Sequence, residues 1–599
     1  MSKIDFQHIK KEFLKWRLRN IPERRFVIIL SVVVGVLSGC AAVLLKNLVH
    51  FTYTLITNAS WSSVIGGNVL MLIYPFIGIV LTVLFLKYFV KGDIGHGIPN
   101  ILYSISRKKG KIPIHNTYSS LIASTLTVAF GGSVGLEAPI ATTGSAIGSN
   151  IGKFFHLNSK NVILLLGCGA AGAIAGIFKA PIAGILFVLE VLMFDLTMTA
   201  AIPLLISSIS ASLIAYFFMG NDVQFAFTVS EHFDISQIPY FVVLGLFCGF
   251  VSVYFLRIIS YIEGRFAKIK KQYIKIITGG IILGILIFIF PPLFGEGYDA
   301  LNGLLHGNTD PLFRNSIFSS FQSKTWVYLI LLFAVILLKG IATSVTTSSG
   351  GIGGTFGPSL FLGGISGFFV ATLINELGIS DLSTANFALV GMAAVMTGVM
   401  HAPLMSTFLI AEITGGYALF APLLAASAVS YMTVYPFEKH SIYTKKLAKH
   451  GDLLTHDKDK SAWRLMNMER LIEKNFVIMR DGNKMRDLIH AIEKSSRNIF
   501  PVLDNENKFL GVVVLDDIRS IIFHPEYYDT YTVNDLMHKM SDNDRVYITD
   551  SMYDVVKKYQ LSDKYNIVVT DKENNYIGFL SRANVFSAYR NFVFELSDE

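Results

Sequence analysis

The sequence predicts an all-α polytopic membrane domain, built from two inverted-topology repeats with discontinuous helices, followed by a cytoplasmic α/β tandem. Three observations predict it. Uncharged apolar runs of span length recur up to about residue 440, a glycine-proline pattern returns at a nearly constant offset, and the composition turns polar near residue 445.

With 52% hydrophobic and 16% charged residues over 599 positions, and a mean hydropathy of +0.52, the chain is too apolar for a soluble protein. Phe26 to Leu45, Leu70 to Leu86, Asn161 to Phe178, Ile276 to Gly295 and Asn386 to Ala411 read as membrane segments. The first 25 residues hold eight Lys/Arg against three Asp/Glu, with no small-residue cleavage site before the first span. They read as a basic cytoplasmic segment rather than a signal peptide. The net charge of +8 arises beside spans and in the polar tail, so positive-inside placement explains it and no nucleic-acid partner is expected. Cys40, Cys168 and Cys248 lie in apolar stretches without CxxC spacing. They are expected to be buried packing thiols, with no disulfide and no metal site.

The repeat is visible within the chain itself. Gly131-Gly132-Ser133-Val134-Gly135-Leu136-Glu137-Ala138-Pro139 matches Gly350-Gly351-Ile352-Gly353-Gly354-Thr355-Phe356-Gly357-Pro358, and Ala180-Pro181 with Glu190 matches Ala402-Pro403 with Glu412, at offsets of 219 and 222 residues. Two blocks in one order at one spacing point to a duplicated helical unit, and glycine-proline breaks at matching places point to a site near the midplane where the halves meet. The boundaries expected are a basic segment 1–25, a membrane domain 26–445 with repeats of about 26–218 and 236–445, and a linker 446–469.

The tail repeats more weakly. Pro501-Val502-Leu503-Asp504 to Gly511 and Ile567-Val568-Val569 with Asp571 to Gly578 each read strand, turn, strand, with helical segments from Met485 to Lys494 and from Met552 to Gln560. This α/β tandem resembles a pair of cystathionine-β-synthase (CBS) domains, with repeats at 470–525 and 526–599.

The breaks suggest chemistry. Removing a small anion from water carries an idealised Born cost of about 20 kcal/mol, so a protein that passes one must offer oriented dipoles instead. Gly95-His96-Gly97-Ile98-Pro99, Gly135 to Pro139 and Gly354 to Pro358 each place glycines before a proline suited to a first helical turn. Three helix N-termini at roughly +0.5 charge each supply about +1.5, enough to balance one anion while holding it weakly enough to let go.

These loops in this order, followed by a tyrosine in Ser441-Ile442-Tyr443, resemble the signature segments of the CLC family of chloride channels and chloride/proton exchangers; the likeness runs from about Phe26 to Leu447 and is strong in Lys339 to Leu362. The resemblance implies that Glu137 is the gating glutamate, whose carboxylate competes with the anion. It implies that Tyr443 contacts the central ion, with backbone donors at Thr355 and Phe356 and the first loop supplying His96, Gly97 and Ile98. A first-turn acid favoured by the helix dipole is the plain alternative for Glu137, and an interfacial anchor that for Tyr443. The substrate implied is chloride. A homodimer in the cell membrane, multi-pass with both termini cytoplasmic, is also implied.

Three positions depart from the family pattern. His96 stands where a serine is usual, Leu136 where many members have arginine, and Val191 where exchangers carry a second, proton-relaying glutamate. Valine carries no proton, so channel-like passive conduction is expected, with chloride/proton antiport as the alternative. Glu190 and Glu412 occupy matched places and are expected to satisfy backbone donors near helix ends. In the tail, the resemblance implies an adenine nucleotide contacted by Asp517 and Ser581, but Val514 and Asn584 leave each site incomplete, and a purely structural, dimer-supporting tail is the equal alternative. An enzyme is not expected: Gly131-Gly132-Ser133-Val134-Gly135 satisfies the G-x-S-x-G nucleophile pattern, yet the second copy keeps the glycines and replaces the serine by Ile352.

Overall fold

A computed structural model describes residues 12, 15–17, 19–57, 67–90, 97–194, 197–220, 235–313, 318, 325–450, 463, 466–541, 544–562 and 564–596. The chain divides into two units, Met1–Leu453 and Leu454–Glu599. The last helix of the first unit, Thr444–His450, reaches into the stretch expected to be linker.

In the membrane unit the first half runs α1 (Glu23–Thr57), α2 (Gly67–Phe85), α3 (Ile98–Arg107), α4 (Asn116–Ala129), α5 (Glu137–Phe154), α6 (Ser159–Phe178), α7 (Pro181–Leu186) and α8 (Met198–Met219). The second runs α9 (Ile238–Ala267), α10 (Gln272–Ile289), α11 (Tyr298–Leu305), the single turn α12 (Asp310–Phe313), α13 (Thr325–Ser348), α14 (Phe356–Glu376), α15 (Thr384–Met400), α16 (Pro403–Ile413) and α17 (Phe420–Val434), with α18 (Thr444–His450) closing the unit. Eight helices among the described residues are long and apolar enough to cross a membrane. They leave Leu37, Leu213, Phe250 and Ile281 exposed, as a lipid-facing surface requires.

The halves pack alike. α5 lies on α6, and α14 on α15, with glycines at the crossings: a Cβ on Gly144 or Gly148 would strike the carbonyl of Gly169 or Leu165, and one on Gly363 or Gly367 that of Gly391 or Phe387. Small residues four apart let two membrane helices approach backbone to backbone. Each half then breaks in the same way. Lys179 after α6 and His401 after α15 take left-handed backbone at φ 56° and 58°, and Pro181 and Pro403 open the next short helix.

Two expectations change here. Asn386 to Ala411 is not one span, because the left-handed turn at His401 divides it into α15 and α16. Cys40 is exposed on α1, whereas Cys168 and Cys248 are buried; all three are free thiols.

The tail unit is a pair of matching three-stranded sheets. β1 (Met479–Arg480) pairs parallel with β2 (Ile499–Leu503), which pairs antiparallel with β3 (Phe509–Val514). β4 (Arg545–Tyr547), β5 (Asn566–Thr570) and β6 (Tyr576–Ser581) repeat this order. The registers coincide: Ile499 faces Val514 as Asn566 faces Ser581, and the ladders slip between Val502 and Leu503 and between Val569 and Thr570. Each copy crosses from its first strand to its second through an amphipathic helix, α19 (Met485–Lys494) or, in the second copy, Met552–Leu561. Leu488 and Ala491 pack on one sheet, and Met552, Val555, Val556 and Tyr559 on the other.

Candidate anion site

The two glycine loops meet as a short antiparallel bridge. Gly135 N–H donates to the Gly354 carbonyl at 2.9 Å, and Gly354 N–H returns to the Gly135 carbonyl at 2.8 Å. Side chains repeat the exchange: Ser133 N–H donates to Thr346 Oγ1 at 3.2 Å, and Ile352 N–H to Thr127 Oγ1 at 3.0 Å. Farther along, Glu190 accepts from Leu404 and Met405 N–H at 3.2 and 2.8 Å, while Glu412 accepts from Ile182 and Ala183 N–H at 3.1 and 2.8 Å. Each of these glutamates caps the short helix of the opposite half, satisfying N–H groups that have no intrahelical acceptor. Reciprocal contacts of this kind define a pseudo-twofold axis between the loops.

On that axis three helix starts converge. Ala138, second residue of α5, touches the other two: a Cβ on Gly97, the N-cap of α3, would lie 3.3 Å from its methyl, and one on Gly354, just before α14, 2.6 Å. These N-termini, with Tyr443 and Thr355, line a cavity of about 1050 Å³. The cavity is also lined by Lys87, Lys275, Lys445 and Lys446 against one acid, Glu263. A basic mouth concentrates anions.

Tyr443 is 4% exposed. Ile442 N–H donates to the Val399 carbonyl at 3.2 Å, which ties the Tyr443 turn to the end of α15. The Tyr443 hydroxyl and Thr355 Oγ1 are close enough to interact but do not adopt hydrogen-bond geometry, and neither has another partner among the described residues. The N–H groups of Thr355 and Phe356 likewise form no backbone bond among the described residues.

Glu137, which precedes the cavity-lining Ala138, is 1% exposed. It is the first residue of α5, as a first-turn acid would be. Its carboxylate, however, reaches the opposite half. Oε2 accepts from Gly357 N–H of α14 at 3.2 Å, and Oε1 accepts from the Tyr298 hydroxyl at 2.8 Å. A Cβ on Gly357 would crowd both Oε1 and the tyrosine oxygen at 3.0 Å, so glycine is needed for the close approach.

Of the residues singled out in the sequence, the structure gathers Gly97, Ile98, Thr355 and Tyr443 around one cavity, with Glu137 buried against the Gly357 N–H of α14 and Phe356 buried at the start of that helix. His96 lies outside the described residues. Val191 is buried at the end of a wide helical turn, Phe187–Val191. Tyr298, Glu296 and Lys339 were not singled out, though an acid and a tyrosine in Gly295-Glu296-Gly297-Tyr298 and a lysine inside the apolar α13 were signals of intramembrane function. In the tail, Val514 and Ser581 end equivalent strands. The Asp517 carboxylate is 3.0 Å from His538 Nε2, and the Asn584 amide donates to Glu473.

Broken helices exchanging caps across a twofold, with three N-termini lining a basic cavity, define an anion-transporting membrane protein. The family model for voltage gated chloride channels matches residues 77–435, and that for the CBS domain matches residues 469–524. The chain belongs to the voltage gated chloride channel family. A putative ClcB-like chloride channel protein of Ralstonia nicotianae is 29% identical over 391 residues, covering 64% of this chain and 86% of that protein. Among solved structures, a slow cyanobacterial chloride/proton antiporter superposes with a TM-score of 0.62 at 24% identity, over 72% of this chain and 99% of the other. A eukaryotic CLC transporter gives 0.60 at 16% identity, over 93% and 97%.

Proposed function

We propose that this protein conducts chloride passively across the cell membrane, with Glu137 as a protonatable gate. The observation that carries the passive reading is the cap at Glu190. Both of its carboxylate oxygens are taken up by N–H groups of α16, and the next residue is Val191. This leaves no acid at the place where an internal proton relay would stand. The gate reading rests on the position of the Glu137 carboxylate, which accepts from a helix N-terminus that would otherwise face an anion. Chloride itself would be held by the helix starts at Gly97–Ile98 and Thr355–Phe356 and by the Tyr443 hydroxyl. Cytoplasmic termini fit the basic segment before α1 and the lysines that line the cavity. A homodimer with one pathway per subunit, and an adenine nucleotide at the tail through Asp517 and Ser581, complete the proposal.

Chloride/proton antiport is the second reading, favoured by the described activity of the cyanobacterial structure that shares the fold. A pH gradient separates the two. Protein in liposomes with equal chloride on both sides should accumulate no chloride when a pH gradient is imposed, and its reversal potential should follow chloride alone. A reversal potential that moves with the pH gradient would establish exchange and make Glu190 the first candidate for the relay.

A further inference from the structure

We propose that Tyr298 is the latch of the gate, a hydroxyl that holds the ionised Glu137 carboxylate against α14, and that Lys339 is the residue that positions it. The inference rests on the reading of Glu137 as a gate.

Each oxygen of Glu137 receives one donor from a different element, Oε1 from the Tyr298 hydroxyl and Oε2 from Gly357 N–H. A carboxylate accepts both bonds well. A carboxylic acid does not, because its hydroxyl oxygen is a poor acceptor, so the pair of donors favours the charged form. Protonation thus weakens the hold on both oxygens at once and frees the side chain to leave.

The latch is itself anchored. Tyr298 is the first residue of α11 and follows the turn Gly295-Glu296-Gly297. The Nζ of Lys339, fully buried on α13, donates to the carbonyls of Gly295 and Glu296 at 3.0 and 3.3 Å and sits 4.7 Å from the ring centroid of Phe361 on α14. The same turn reaches α5, because Glu296 Oε1 accepts from Leu136 N–H at 3.1 Å. Lys339 therefore holds the turn beside the helix whose N-terminus makes the other bond to Glu137, and Glu296 holds it beside the helix that carries Glu137. The charged and titratable groups facing Glu137 are Tyr298 from α11, Glu296 from the turn and Tyr443 from the segment before α18. Lys339 of α13 and Lys46 of α1 bear on it through Glu296, and α14 contributes only the Gly357 N–H.

The test is chloride efflux from proteoliposomes as a function of pH for wild type, Tyr298→Phe, Glu137→Gln and the double variant. Tyr298→Phe keeps the ring and removes the donor. A bond that favours the charged form lowers a carboxyl's proton affinity; without it the proton binds at higher pH, so half-activation should move up by about one pH unit. At one unit above the wild-type midpoint that is about fivefold more flux. Lys339→Met should shift the profile the same way by less, and Lys339→Arg should restore it. In the Glu137→Gln background Tyr298→Phe should change nothing. A wild-type midpoint in Tyr298→Phe, beside a flat profile in Glu137→Gln, would overturn the latch and leave the gate standing. A pH profile retained in Glu137→Gln would overturn the gate, and the latch with it.

Discussion

In the first half of the membrane unit the glycine loop ends in Leu136 and Glu137; in the second the equivalent loop ends in Thr355 and Phe356. Around these unlike ends the scaffold is alike, since Gly135 answers Gly354, Thr127 answers Thr346, and Glu190 answers Glu412 across the pseudo-twofold. The paired side chains all satisfy backbone N–H groups of the other half. Glu137, Tyr298 and Lys339 have no counterpart in the other half, and they are linked through the turn Gly295-Glu296-Gly297. An acid kept in both halves is thus explained by a structural need that both halves share, whereas an acid in one half alone is not. This is why Glu190, despite its place in the membrane, is read as a cap and Glu137 as a gate.

The comparison can be broken most visibly at Glu137. Glu137→Gln mimics the protonated acid without changing its shape, and chloride efflux should lose its pH dependence, staying constant within about twofold over the range in which the wild type changes by roughly tenfold per unit. A pH profile like that of the wild type would mean that the asymmetric acid is no more functional than the symmetric ones.

The matched caps give a smaller and balanced effect. Glu190→Gln and Glu412→Gln each replace a charged acceptor of two N–H groups by a neutral amide, and each should destabilise the membrane unit by about 1–3 kcal/mol. Thermal unfolding in detergent should show similar losses for the two variants, with the chloride reversal potential unmoved. A change in proton coupling for Glu190→Gln alone would break the symmetry and favour the exchanger.

Smallest are the threonine pair. Thr127→Val and Thr346→Val each remove one bond to the opposite loop, at about 0.5–1.5 kcal/mol apiece. The effects on unfolding should be comparable, and the pH midpoint of chloride efflux should stay within a few tenths of a unit of wild type if the bridge is scaffold and not gate. A shifted midpoint would show that the loops move with Glu137.

The sequence by itself determined whatever depends on local pattern. Apolar runs of span length gave the membrane helices, glycine before proline gave helix starts, and the two offsets gave the duplication before any contact was known. The strand-helix order of both tail copies was legible for the same reason, as were the first-turn place of Glu137 and the capping role of Glu190 and Glu412. Only the tertiary structure decided which partners these groups find. Asn386 to Ala411 reads as one apolar run, and the left-handed turn at His401 appears only when α15 and α16 pack in different directions. That each glutamate caps the other half's helix has no local signature. Nor does the meeting of Tyr298 with Glu137 and of Lys339 with the turn before it, since the hydrogen-bond partners lie 161 and 44 residues apart and are brought together by helix packing, to which no sequence period corresponds. A buried polar group announces that it needs a partner; which partner it receives is settled by the fold.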